Sequence, residues 1–241
     1  MTWIKPDWPV KKNIHTAVTL RPGGLSQGPF QSLNPALHVN DKAEIVLANR
    51  KIIADALKLP SSPVWLQQVH GNRVIKINDH SISDQQADAS YTNQASIVSV
   101  VMTADCLPVL LASHDGLEIA AIHAGWRGLL SGVIANTVAL FTDTPIMAWL
   151  GPAIGPDCFE VGEALKSSFV SKSNKFNGAF TQKSKNKYLA DIYQLASTEL
   201  AMLGITQVYG GGFCTVTDKQ RFYSYRRDGE TGRMATLIWR D

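Results

Sequence analysis

An α+β fold is what this sequence predicts, and three observations carry that reading. Strand-like and helix-like segments follow one another in mixed order rather than as a strict strand–helix repeat. No internal repeat, low-complexity linker or composition shift divides the chain, so residues 1–241 are expected to form one domain. With 45% hydrophobic and 18% charged residues, a chain of this length is expected to fold to roughly 10,600 Å² of surface from about 38,000 Å² unfolded, enough for a large core.

Residues 14–20, IHTAVTL, alternate as a strand does, and Arg21-Pro22-Gly23-Gly24 breaks it with a turn. Asp41 followed by Glu44 has capping-box spacing and predicts a helix over 43–59, stopped by Pro60, with Ile45, Ala48, Ile52, Ala56 and Leu59 as its apolar face. Two short strands, 64–69 and 73–77, flank the turn His70-Gly71-Asn72, and the polar stretch 78–90 is expected at the surface. The β-branched run 96–102, SIVSVVM, is that of a strand buried on both faces. Pro108 cannot donate a ladder hydrogen bond, so a bend is expected between Cys106 and a strand over 109–112. A strand over 117–123, glycines at 125 and 128 and a helix over 129–141 follow; a strand over 146–150 then runs into the turn-rich GPAIGP. The lysines, serines and asparagines of 172–187 predict an exposed, mobile insertion. Apolar spacing predicts a helix over 189–203 ending at Gly204. Residues 222–239 read as a hairpin with 228–232 as its loop and Arg226, Arg227 and Arg233 clustered around it.

His70, Cys106 and His123 are the candidates for chemistry. Each stands at the edge of an apolar run beside residues that punctuate backbone. Thiolate with imidazole is a zinc donor set, and three protein donors without a fourth is the pattern of an open catalytic site. Spacing alone leaves the bland alternative standing, in which Cys106 is a small buried hydrophobe and each histidine a satisfied side chain. If Asp105 and Cys106 are extended, their side chains point to opposite faces, and Asp105 orients backbone or a neighbouring donor. Arg21 at its turn and Arg127 beside a glycine-flanked helix start could reach an anion such as phosphate, or could simply be solvated. His80 and His114 lie in polar loops and are expected exposed; His15 and His38 are not assigned. Three cysteines without CxxC spacing argue against a disulfide framework, and Cys158 and Cys214 read as filler.

Composition excludes several classes. The net charge of +3 is scattered, with no basic helix or aromatic-interleaved patch, so nucleic acid is not an expected partner. No apolar run approaches the ~20 residues that span a membrane. The N-terminal MTWIKPDWPVKK lacks a secretory core, and the cytoplasm is the expected compartment.

The blocks QQVHG at 67–71, TADCLPVLL at 103–111 and HAGWRG at 123–128 resemble the motif blocks of the YfiH family, also called the laccase-domain or polyphenol oxidase family and related to human FAMIN. The likeness continues through RPGG at 21–24, GPAIGP at 151–156, KYLADIYQLA at 187–196 and YSYRRDGETGRMA at 223–235, and so covers essentially the whole chain. The resemblance implies an α+β fold of two packed mixed β-sheets flanked by helices. It also implies one zinc ion held by the residues matching His70, Cys106 and His123. At that site it implies phosphorolysis of adenosine, inosine and methylthioadenosine, together with deamination of adenosine, so that purine nucleosides and phosphate are the partners. The HxE and PCxxC signature of the usual zinc deaminases is absent. Two rival activities stay in view. A copper polyphenol oxidase is one, because two histidines and a cysteine are also a blue-copper set, although the six histidines form no HxH pair. The other is a metal-free hydrolase with Cys106 as nucleophile and His123 as base. A binding protein with structural zinc would need a fourth protein ligand.

Overall fold

The structure, a computed structural model, describes residues 2–79, 86–142 and 145–241. In chain order β1 (Trp3–Ile4), β2 (Ile14–Thr19), helix α1 (Ala43–Leu57), β3 (Val64–Trp65), β4 (Val74–Lys76), β5 (Ala89–Thr92), β6 (Ser99–Thr103), β7 (Leu107–Ser113) and β8 (Ile119–Ala124) lead into α2 (Trp126–Ser131) and α3 (Val133–Val138). There follow β9 (Ile146–Leu150), β10 (Glu160–Gly162), α4 (Glu163–Lys172), β11 (Phe180–Ser184), β12 (Lys187–Ala190), α5 (Ile192–Met202), β13 (Gln207–Gly210), the single turn α6 (Tyr225–Asp228) and β14 (Met234–Arg240). One mixed sheet has the order β1-β2-β14-β6-β3 and a second β13-β9-β7-β8-β5-β4. A third, antiparallel sheet, β10-β12-β11, was not expected from the sequence.

Side chains alternating along the strands divide the core into layers. Leu110 and Ala112 of β7 meet Ile14, Val18, Val101 and Ile238 of the five-stranded sheet. Val109 and Leu111, one residue out of phase, face the opposite way onto Leu129, Val133, Ile134, Leu195 and Leu200 of α2, α3 and α5. On the far face of the first sheet, Val100, Leu237 and Trp239 pack with Ile53 of α1. Two mixed sheets therefore lie face to face with helices outside, as expected. The accessible surface, 10,582 Å², agrees with the area expected from length.

Several local expectations are corrected. Helix α1 ends at Leu57, where Lys58 turns left-handed (φ 51°), and its most buried side chains are Val46, Asn49 and Ile53 rather than Ile45, Ala48 and Ile52. Buried Asn49 belongs there because its amide binds Ser26, Asn34 O and the Leu25 N–H. No capping box forms, because Asp41 spends its carboxylate on Ser26, Asn34 and the Lys42 N–H. The segments around His70 are not strand neighbours, since β3 joins the first sheet and β4 the second. Within 78–90 the chain is not all surface, as Ala87, Asp88, Ala89 and Ser90 are completely buried, while His80 lies outside the described residues. The helix expected over 129–141 begins earlier, at Trp126, and is broken at Gly132, whose φ of 87° favours glycine.

Residues 172–187 are not a mobile insertion. Phe176 and Phe180 pack on Phe169 and carry a 3-10 turn and β11 into the core, so lysine-rich composition described only the outer face of this hairpin. Helix α5 starts at Ile192 behind the Asp191 cap, because 187–190 are claimed by β12. No C-terminal hairpin forms. Both edges of β14 are taken, by β2 and β6, so 222–224 have no ladder to join; instead buried Tyr223 donates to Phe30 O and Ser224 caps α6.

Candidate metal centre

His70 and Cys106 lie on the two connections that cross from the first sheet to the second, β3 to β4 and β6 to β7, and His123 lies near the end of β8. The crossings are tied together. Gln68 pairs both ends of its amide with the backbone of Met102, at 2.8 and 2.7 Å. Across the ladder Pro108 faces His123 and Leu107 faces Ala124, which sets Cys106 beside Gly125. A Cβ on Gly125 would sit 2.9 Å from Cys106 Sγ and 3.4 Å from His70 Cδ2, so HAG has glycine where the thiol and a ring must close in.

The ligand atoms of His70, Cys106 and His123 all lie within 4.8 Å of one another, and among the described residues no fourth Cys, His, Asp or Glu joins them. His70 is exposed, Cys106 half-buried and His123 buried. The chain turns left-handed at His70 (φ 61°) and Asp105 (φ 85°), each costing about 1–2 kcal/mol in a non-glycine residue. Asp105 is thus not extended as assumed, yet it orients backbone as expected: it accepts from Arg226 N at 2.6 Å and from Thr215 Oγ1 at 2.5 Å.

Sequence reasoning missed Asp88. Completely buried, it accepts from the amides of Val69, His70 and Gly71 at 3.2, 2.9 and 2.7 Å and from His123 Nδ1 at 2.8 Å. One carboxylate therefore holds the His70 turn in its left-handed shape and fixes the His123 ring. Because a carboxylate can only accept, Nδ1 carries a proton, so it is Nε2 that faces the site and, in the neutral ring, presents a lone pair, the arrangement that metal-binding histidines use. Burial raises the Asp88 pKa, but His123 and the amides outweigh it and keep the group ionised. The one sequence signal was an acidic residue between two alanines at a strand start.

Burial also pushes the Cys106 thiol up, but the charge of His123 and hydrogen bonds from both rings outweigh it and lower its pKa. For His123 burial works downward, while Cys106 and Asp88 raise it above the ordinary range. The pair thus favours thiolate beside imidazolium when no cation intervenes. Cys106 beside His123, whose Nδ1 is bound to Asp88, suits either metal ligation or an activated nucleophile.

The group opens onto a cleft of about 440 Å³ lined also by His38, Trp126, Arg127, Tyr225, Arg226 and Arg233. Arg127 is exposed there and lies 4.4 Å over the Trp126 ring. Arg21 is not among the lining residues: it donates to Gln31 O and Lys219 O and lies over Tyr223. His38, unassigned from sequence, keeps an exposed edge, yet partial burial and then Arg233 lower it to about 4. His114 is a turn residue bonded to Gln207. Cys158 and Cys214 are free and outside this group.

Residues 15–241 match a family profile described as multi-copper polyphenol oxidoreductase laccase. An Escherichia coli protein named purine nucleoside phosphorylase YfiH is 50% identical over 238 residues, covering 98% of each chain. A Haemophilus influenzae protein named purine nucleoside phosphorylase is 48% identical over 99% of each chain. Among solved structures, a Neisseria meningitidis protein superposes with a TM-score of 0.95 at 44% identity and 99% coverage of both chains.

Proposed function

This chain belongs to the multi-copper polyphenol oxidoreductase laccase family, the YfiH group, and from that premise we propose that it is a purine nucleoside phosphorylase working at a single metal ion held by His70, Cys106 and His123. The observation that carries the reading is the convergence of these three donors within 4.8 Å in the lining of a ligand-sized cleft, with Asp88 presenting His123 Nε2. Adenosine, inosine and methylthioadenosine are the proposed nucleosides, with phosphate as co-substrate and deamination of adenosine as a side activity. The donor set, one thiolate and two imidazoles with no fourth protein ligand among the described residues, fits zinc. Bound there, zinc would supply a Lewis acid with an open position.

Phosphorolysis breaks the bond from the anomeric carbon to the base and forms one to a phosphate oxygen; the electron pair leaves with the base, which also takes a proton. The chain's own part is to bind and orient. Trp126 and Tyr225 offer aromatic surface to a base, and exposed Arg127 offers a cation. One group of three donors among the described residues supports one ion rather than a copper cluster.

A second reading has its own observation: Cys106, His123 and Asp88 are ordered as nucleophile, base and orienting acid. One experiment separates the readings. Metal analysis of purified protein is run beside product analysis with adenosine, with and without phosphate. One equivalent of zinc and phosphate-dependent adenine with ribose 1-phosphate are expected. Free ribose alone would mean hydrolysis, and turnover by fully metal-free protein would overturn the metal-dependent mechanism in favour of cysteine chemistry.

A further inference from the structure

Arg127, Arg226 and Arg233 line the cleft of the Cys/His group, and among the described residues none of the three pairs with a carboxylate. Of the lining residues only Asp105 is acidic, and its oxygens are taken by Thr215 Oγ1 and the Arg226 backbone N–H. Three guanidinium charges thus face one engaged carboxylate, an excess that an anion would neutralise.

Two of these arginines are held by backbone carbonyls, half-buried Arg233 and exposed Arg226. Arg233 donates through Nη1 to Thr231 O at 2.8 Å and Gly232 O at 3.0 Å, and no acceptor among the described residues takes its Nε or Nη2. Arg226 donates through Nη1 to Cys158 O at 3.1 Å, through Nη1 and Nη2 more weakly to Glu160 O at 3.4 Å, and lies over the Phe159 ring at 5.7 Å. Arg127 is exposed and, among the described residues, is anchored by stacking on Trp126 alone. The register of β14 on β6 sets Met234 opposite Thr103, which brings Arg233 to the same end of the ladder as Thr103. Thr103 is 2% exposed, lines the cleft, and has a buried hydroxyl with no hydrogen-bond partner. A buried hydroxyl without a protein partner keeps its hydrogen-bonding capacity, so Thr103 offers the cleft a donor and an acceptor.

We propose that Arg233 and Arg226, with the Thr103 hydroxyl, form the subsite for a tetrahedral oxyanion, inorganic phosphate, at the β14 side of the cleft. Planar guanidinium groups fixed by carbonyls are preorganised for forked pairing with phosphate oxygens. The identity of the anion rests on the phosphorylase reading above; the existence of an anion subsite does not. The glycine turn at 125–128 is the competing location. It is already packed against Cys106 Sγ at Gly125 and against Gly71 O at Gly128.

The test uses full-length, metal-loaded protein and inorganic phosphate. Phosphate binding is measured by calorimetry, and KM is measured separately for phosphate and for adenosine. Arg233→Met and Arg226→Met are each expected to weaken phosphate about ten- to a hundred-fold, the range for hydrogen bonds to a charged group, with the KM for adenosine within about two-fold. Arg233→Lys should recover part of the loss, since it restores charge without the fork. Should a methionine variant misfold, the wild-type protein still decides: phosphate should protect Arg233 and Arg226 from phenylglyoxal, read by peptide mass spectrometry, more than it protects Arg127. Phosphate binding that is unchanged in both variants, or protection confined to Arg127, overturns the subsite while leaving phosphorolysis intact. Phosphate binding at these arginines without ribose 1-phosphate formation would instead uphold the subsite and reject the phosphorylase reading.

Discussion

Replacing Asp88 by asparagine tests the centre through a residue that touches neither metal nor substrate. The two oxygens of Asp88 each take two donors, Oδ1 the His70 amide and His123 Nδ1, Oδ2 the amides of Val69 and Gly71. An asparagine has one oxygen, so its NH₂ must face one of these pairs. Turned toward Val69 and Gly71, it leaves two part-buried N–H groups unpaired, each at up to about 1–3 kcal/mol. Turned the other way, it leaves only the His70 amide unpaired, because His123 can accept at Nδ1 by moving its proton to Nε2. The cheaper choice blocks the nitrogen a metal needs. Asp88→Asn should therefore lose about 1–3 kcal/mol of stability, a fall of about 2–4 °C in Tm per kcal/mol for a chain of this size. Zinc affinity should fall about 10–100-fold. Chelator competition on the folded variant and thermal unfolding measure the two separately. Zinc binding within two-fold of wild type, with a lowered Tm, would show that Asp88 only props the backbone and would refute the tautomer argument.

Three further outcomes are expected. Cys106 in native protein should resist alkylation until a chelator removes the metal; it should then react with a midpoint near the value of about 6 to which the site lowers it. Because that pKa is depressed, the reactive thiolate persists above the midpoint and is lost as pH falls through it, whereas Cys158→Ala and Cys214→Ala should keep both zinc and turnover; a midpoint in the ordinary thiol range would remove the ion-pair account. Gly125→Ala would place a methyl 2.9 Å from Cys106 Sγ, so zinc affinity should drop at least about ten-fold while circular dichroism stays native, and unchanged affinity would mean the turn can give way. Phe176→Ala should cost about 3–5 kcal/mol in urea unfolding, because Phe176 is 1% exposed; a neutral result would restore the mobile-insertion reading of 172–187.

Features that a local pattern can carry were legible in the chain before it folded. The apolar run ending at Cys106, the strand ending near His123 and the break after His70 marked three candidate donors, and the structure brings those three together. Strands β2, β6, β7 and β9 were legible because each buries side chains with a period of two or along an unbroken apolar run. Tertiary structure decided the rest wherever the partner is distant in the chain. Asp88 reads locally as part of a polar turn; its role exists because residues 69–71 and His123 fold around it. The C-terminal segment has local hairpin signals, yet β14 becomes an inner strand because β2 and β6 occupy both its edges. Residues 172–187 look soluble on average, but two phenylalanines among lysines suffice to dock them, since core packing acts on individual side chains and not on the mean of a window. Arg21 and Arg233 were alike as turn arginines in the sequence; only the crossing of the chain between two sheets placed Arg233 in the cleft and left Arg21 outside it.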